Sequence, residues 1–312
     1  MNLSVFVSWW QDFYLFRLKK YNLNIADYKL GFESIKGGPE LIPSARFMGF
    51  VCSENNPDIL IRVHPGNFMI PSDAKIVFNA PYVEELNGLR LNKNDDFWSI
   101  LRFRDDLFIR IIFPHTGEKR EAVLKFSLAE TKWDLWPGQD VKETNPMEYP
   151  LDGLILYYLT VIHGDILIHA SGACHNGRGY LFSGVSGKGK TTIAQLWDNH
   201  GAKIIHDDRL IVRKQDKGFF MFNTPVYNND KPLESRLDRI FIIDHGSGNE
   251  IIPVSGAECV SLIMANCIQH NWDHDIIARL LDSVSTMTES IPAAKLFFLP
   301  DKSIIEFIIE NE

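Results

Sequence analysis

A chain of 312 residues with 45% hydrophobic residues is long enough for two domains and can bury an ordinary globular core. Its formal charge of −8, from 32 Lys and Arg against 40 Asp and Glu, argues against a phosphate-backbone partner, so no nucleic acid is expected. The longest apolar runs fall short of a membrane helix, and the first residues lack both a basic leader and a small-residue cleavage site. Cys52, Cys174, Cys259 and Cys267 are scattered without C-x-x-C pairing. The expectation is a cytoplasmic protein with free thiols, no membrane, no zinc site and no disulfide framework.

From the start to about Ser127 the chain reads as strands. Phe47–Cys52, Ile59–Val63, Ala74–Phe78 and Trp98–Phe113 are rich in β-branched and aromatic residues. Pro65-Gly66, Asn94-Asp95-Asp96 and the run from His115 to Glu118 supply turns between them, which predicts a mostly antiparallel sheet. The charged run Arg102, Arg104, Asp105 and Asp106 reads as a solvated face and turn. From Glu130 to Pro150, Trp133, Trp136, Pro137, Gly138 and Pro146 follow neither helical nor strand period, so this stretch reads as a domain junction. The division is 1–148 for a β-rich amino-terminal domain and 149–312 for the rest.

Leu151, Leu154, Ile155, Tyr158, Leu159 and Ile162 recur at helical spacing before Gly164, predicting an amphipathic helix. Asp165–Cys174 and Tyr180–Ser183 read as strands joined by the turn His175-Asn-Gly-Arg-Gly179. This puts His169 on the strand beside the one that enters Gly184-Val185-Ser186-Gly187-Lys188-Gly189-Lys190-Thr191-Thr192. That run fits G-x-x-x-x-G-K-[ST] at Gly184, Gly189, Lys190 and Thr191, the pattern of a phosphate-binding loop. Glycines let successive N–H groups turn toward phosphate oxygens, and the following helix adds its positive end. Lys190 then reaches the outer phosphates and Thr191 can ligand magnesium. The helix reads as Thr191–His200, with Gly201 as its left-handed stop.

A short apolar strand, Ala202–Ile205, follows and leads through His206 to Asp207 and Asp208. Two adjacent carboxylates need a counter-charge to stay ionised, which a metal supplies, although a turn cap followed by Arg209 explains them equally well. A hairpin over Leu210–Phe222 precedes a charged loop from Tyr227 to Leu237, read as substrate-facing or as idle surface. Arg239–Asp244 and Glu250–Val254 resume the sheet. Ser255-Gly-Ala-Glu258 reads as a capping box opening a helix over Cys259–His270, a second helix covers Asp275–Thr288, Lys295–Leu299 is the last strand and Ser303–Glu310 the last helix.

With these residues in place, the region from about Asp165 to Asp244 resembles the HPr kinase/phosphorylase-like family, related to phosphoenolpyruvate carboxykinase. The likeness lies in a strand histidine 21 residues before Lys190, the glycine-rich loop, a helix ended by glycine, and an Asp-Asp pair whose second member follows Lys190 by 18 residues. The resemblance implies an α/β P-loop kinase domain of that type, preceded by a mostly β amino-terminal domain. It implies ATP and Mg2+ bound at residues 184–192, with His169, Lys190 and Asp208 catalytic and Asp208 taking the acceptor's proton. Metal ligands would be Thr191, Asp207 and, from the family's Leu-Glu-x-Arg segment matched by Leu233-Glu234-Ser-Arg236, Glu234. The family's Pro-Val-Arg-Pro-Gly segment is reduced to Ile252-Pro-Val-Ser-Gly256, so the reverse, phosphorylase reaction is not expected. The resulting expectation is a kinase acting on a hydroxyl of a small molecule or of a protein serine. The alternative is a nucleotide-binding sensor or scaffold without phosphotransfer. A homo-oligomer, and a protein partner docked through the amino-terminal domain, are both compatible with the sequence.

Overall fold

Period-two alternation of apolar and polar residues dominates the first half of the chain, and it builds a nine-stranded sheet. In the computed structural model, which describes residues 18–86, 89–113 and 120–311, the chain forms two units. The first unit holds strands β1 (Lys20–Ile25), β2 (Tyr28–Ser34), β3 (Glu40–Leu41), β4 (Val51–Cys52), β5 (Ile59–Val63), β6 (Lys75–Leu86), β7 (Leu89–Phe103), β8 (Asp106–Phe113), β9 (Arg120–Phe126), β10 (Lys132–Trp136) and β11 (Glu143–Thr144). Its large sheet runs β4-β1-β2-β5-β10-β9-β8-β7-β6, with β3 and β11 paired separately.

The sheet is mostly antiparallel, as expected, with parallel pairing at its centre, where β5 pairs with both β2 and β10. Three other expectations for this half are corrected. Residues 132–136 are no junction: β10 is a central strand whose Trp133 is fully buried, and its Lys-Trp-Asp-Leu-Trp alternation fits a strand with one covered face. Phe47–Phe50 belong to a 3-10 turn over Ala45–Phe50, where the i, i+3 spacing of Phe47 and Phe50 buries both on one side. Asn94, Asp95 and Asp96 lie inside β7, and the β6–β7 ladder continues past them to the Leu86–Leu89 pair. The turn expected between His115 and Glu118 lies outside the described residues.

The second unit is mixed α/β. Helix α1 (Leu151–His163) leads into β12 (Ile166–His175), β13 (Arg178–Ser183), α2 (Lys190–Asn199), β14 (Lys203–His206), β15 (Arg209–Gln215), β16 (Gly218–Asn223), β17 (Glu234–Arg236), β18 (Arg239–His245) and β19 (Glu250–Val254). Helices α3 (Gly256–Met264) and α4 (His274–Ser290), strand β20 (Ala293–Phe298) and helix α5 (Ser303–Glu310) complete it. The sheet order is β17-β16-β15-β12-β13-β18-β20-β19, with β14 also on β12. The pairs β13–β18 and β18–β20 are parallel.

Helices cover both faces of this sheet. Ile193 and Trp197 of α2 share one core with Tyr180, Phe182 and Phe241 and with Ile304, Ile305 and Ile308 of α5. Cys259 and Ile263 of α3 and Leu280, Val284 and Met287 of α4 share the other with Ile168, Leu181 and Ile240. Helix α1 is buried on nearly every side from Leu154 to Val161 rather than amphipathic, as its unbroken apolar sequence requires. Helix α3 stops at Met264, short of the expected His270, because the chain beyond it serves as strand edge. Asn266 O accepts from His169 N, and Ile268 N donates to Leu167 O, filling the half of β12 that β13 does not reach. Ser255 caps α3 by position without a side-chain hydrogen bond, so the capping box is not formed. All four cysteines are free. Among the described residues no helix is long and apolar enough to cross a membrane.

Candidate functional site

The site begins where the buried strand β13 ends and the chain turns sharply into α2. Gly184 crosses the end of β18 so closely that a Cβ there would lie 3.0 Å from both Ile243 Cγ1 and Ile243 O. Gly189 has φ of +96°, a conformation costly for other residues, and its added Cβ would meet the Phe298 ring at 3.0 Å. As the residue preceding α2, Gly189 offers no side-chain cap. The first-turn N–H groups of α2 therefore face the loop's mouth without a side-chain acceptor, an arrangement that suits an anion.

Two lysines of this loop have different partners. Lys190 Nζ donates to Gly184 O at 2.7 Å and to Val185 O at 3.3 Å, so it curls over the mouth of the loop. Lys188 Nζ instead reaches out to Asp244 Oδ1, and the His245 ring meets Gly187 O at 3.0 Å. Val185, Ser186, Gly187 and Thr191 are exposed, and Thr192 is half-buried.

The acidic pair comes from a break in a ladder. Strands β14 and β15 run one after the other along β12, with Gly172 opposite His206 and His169 opposite Arg209. Between these pairs Asp207 and Asp208 leave the ladder, where Ala170 N still donates to Asp208 O at 3.2 Å. The His206 side chain supports the break: its Nδ1 accepts from Asp208 N at 3.0 Å and from Arg209 N at 3.2 Å. The acids thus sit at an interruption within an edge-to-edge pair of strands, not at the free end of one.

This break faces the loop. His169 lies four residues before Ala173 on β12, hence on the same face, and Ala173 packs in the core under α2. Loss of hydration lowers the His169 pKa, Arg209 and Lys190 push it the same way, and Asp208 opposes them through its charge and its backbone hydrogen bond. Loss of hydration also lowers the Lys190 pKa, again opposed by Asp208. His169, Lys190 and Asp208 are therefore brought within electrostatic reach of one another. A lowered pKa keeps His169 a neutral imidazole at pH 7.

Four further residues of the site escape the motif reading. Tyr227 stacks on the buried His206 ring with centroids 5.4 Å apart and planes 9° from parallel. Lost hydration, and then the Asp207 carboxylate to which it hydrogen-bonds, push the Tyr227 phenol up to about 12. Asp230 Oδ2 accepts from Val226 N and Tyr227 N and lies 3.8 Å from His206 Nε2, so it shapes the loop that presents Tyr227. Arg209 Nε is buried, has no hydrogen-bond partner among the described residues and lies 4.0 Å from Asp208 Oδ2. Gly153 of α1 leaves space for that arginine, since a Cβ there would come within 3.2 Å of Arg209 Nη1. Only a charged residue following the Asp-Asp pair signalled Arg209 in the sequence; the others are joined to it by long-range packing.

Glu234 stands apart. It lies on β17, paired with Phe222 of β16, and not in a loop. Two ladder spacings, about 10 Å, separate β17 from β15. Among the described residues no group of three or more His, Cys, Asp or Glu side chains could hold a metal. Any ion here would be shared between protein ligands such as Thr191 and Asp207 and the oxygens of a bound ligand.

No family model matches the sequence, and no curated protein matches it. Among solved structures, the HPr(Ser) kinase/phosphatase from Coxiella burnetii aligns over 46% of this chain and 94% of its own, at 9% identity and a TM-score of 0.30.

Proposed function

We propose that the protein is a kinase that binds ATP with magnesium on residues 184–192 and transfers its terminal phosphoryl group to a hydroxyl acceptor. The observation that supports this reading is the meeting of Lys190, Asp208 and His169 at the mouth of an uncapped, glycine-rich helix start. Such a mouth fits a polyphosphate: backbone donors and a lysine converge there, with an acid and a neutral histidine alongside.

In this reading Lys190 exchanges its two carbonyl partners for phosphate oxygens. Asp208 accepts the proton of the acceptor hydroxyl as that oxygen bonds to phosphorus and the bond from phosphorus to the ADP oxygen breaks. Arg209, already beside Asp208, supplies positive charge where negative charge spreads over the transferring group. His169 donates or accepts a hydrogen bond without adding charge. A magnesium ion held by Thr191 and Asp207 would screen the phosphates.

Titration with a non-hydrolysable ATP analogue, with and without magnesium, tests the reading. Binding is expected, and Lys190→Ala should weaken it by roughly thirtyfold or more, the scale of a charged hydrogen bond, with the circular dichroism unchanged. Absence of binding by folded wild-type protein would sink the kinase. Labelled ATP supplied with separate pools of metabolites and proteins then identifies the acceptor class, while label released only as free phosphate would count against a kinase.

A further inference from the structure

The first unit contains a cavity that the phosphate site does not explain. On β8 and β9 the register pairs Arg110 with Val123, and on β9 and β10 it pairs Val123 with Trp136. Leu101 and Phe108 lie on that same face. The opposite face carries Ile100, Ile109, Leu124 and Leu135, all essentially inaccessible, and is the core of the sheet. An outer sheet face normally turns polar residues to water. Here Leu101, Phe108, Val123 and Trp136 stand on it instead, and the segment after Gly66 crosses over them as a roof.

Phe68 of this roof lies 4.3 Å from the Trp136 ring and 5.6 Å from the Phe108 ring. Between roof and sheet is a cavity of about 500 Å³, within the range of small-molecule sites. Its Trp136 wall is braced from the side: His64 stacks on the indole at 4.5 Å, Asp134 Oδ1 holds His64 Nε2 at 2.5 Å, and Asp134 Oδ2 accepts from Arg62 at 2.7 Å. Two large apolar residues at the mouth are left in water, Met69 at 90% exposure and Ile76 at 57%. A ligand seated in the cavity would cover them.

Arg110 is the one cation of the lining. Its Nε is buried and has no hydrogen-bond partner among the described residues, a condition that an acceptor entering the cavity would relieve. Glu121, on the rim diagonally across from Arg110, is exposed and disfavours a second negative charge. We propose that this cavity binds a small molecule carrying a single carboxylate on an apolar body, with the carboxylate on Arg110 and the body between Phe68, Leu101 and Trp136.

Calorimetric titration of the full chain with octanoate, 1-octanol and the eight-carbon dicarboxylate suberate tests this. Octanoate should bind more tightly than suberate. Arg110→Gln should weaken octanoate about tenfold or more while leaving 1-octanol unchanged. Should Arg110→Gln fail to fold, Ile76→Asp at the exposed mouth replaces it and should weaken octanoate more than 1-octanol, because both lose an apolar contact but only the carboxylate meets the new negative charge. The proposal is overturned if octanoate does not bind, if suberate binds as tightly, or if octanoate affinity is the same in the folded variant as in the wild type.

Discussion

Lys188 Nζ lies 2.7 Å from Asp244 Oδ1, which ties the middle of the glycine-rich loop to the end of β18. The hydrogen bond from Lys188 is also the main cause that holds the Asp244 carboxyl below its ordinary range. Both side chains are substantially exposed, and such a pair contributes at most about 1 kcal/mol. Asp244→Asn should therefore weaken nucleotide binding by no more than about fivefold, and raising the salt concentration should shrink the difference further. The check is a binding titration at two ionic strengths. A loss as large as that of Lys190→Ala would mean that Asp244 touches the ligand or its metal directly.

As the base of the proposed transfer Asp208 takes a proton, a role separable from binding. Asp208→Asn keeps the shape of the side chain and removes the base, so turnover should fall by roughly 10² to 10⁴. Nucleotide affinity should change only a few-fold. The substitution also removes the one charge that holds up the His169 and Lys190 pKa values, so the His169 ring should titrate lower in the variant by NMR. Unchanged turnover would remove Asp208 from the mechanism, whereas an unmoved His169 resonance would separate the two residues in space.

The strand, loop and helix over residues 178–199 were legible because their signals are local: a buried run, three glycines and a stop at Gly201, whose φ is +86°. His169 could be placed beside them because the turn residues at 175–179 dictate a hairpin. Strand β10 was obscured by Pro137 and Gly138 directly after it, and its parallel partner β5 lies about seventy residues earlier, a pairing no local pattern reveals. Composition misread Phe47–Phe50 for a similar reason, since buried aromatics suit a strand and a 3-10 turn alike. The ladder break at Asp207 and Asp208 depends on His206 Nδ1, and the Tyr227 stack depends on packing across twenty residues. Neither has a spacing that a motif would record.

Tyr227 hydrogen-bonds the Asp207 carboxylate that would serve magnesium, so the phenol competes with the metal. Tyr227→Phe keeps the stack on His206 and removes that competition. With Tyr227 half exposed, the bond is worth about 1 kcal/mol, and magnesium should be bound roughly fivefold more tightly in the presence of the ATP analogue. Magnesium titration followed by fluorescence of a labelled analogue reads this without turnover. An unaltered magnesium requirement would take Asp207 out of the metal site.

Acid should destabilise this fold through histidines, and His270 gives the sharpest case. Its ring lies 4.4 Å from Tyr157 and 6.2 Å from Tyr158, and burial lowers its pKa to about 4 from 6.5. Above pH 6.5 both folded and unfolded chains hold the ring neutral, so it adds no pH dependence. Between 6.5 and 4 the unfolded chain binds a proton that the folded chain refuses, and stability falls with pH across that window. At pH 5 the loss from this residue is about 2 kcal/mol. His169 and His206 are lowered in the same direction and add to it. Urea unfolding of the wild type and His270→Gln at pH 7 and pH 5 isolates the contribution of this ring. The drop in stability between the two pH values should be smaller in the variant by about 2 kcal/mol, and equal drops would show that His270 takes up its proton as readily folded as unfolded.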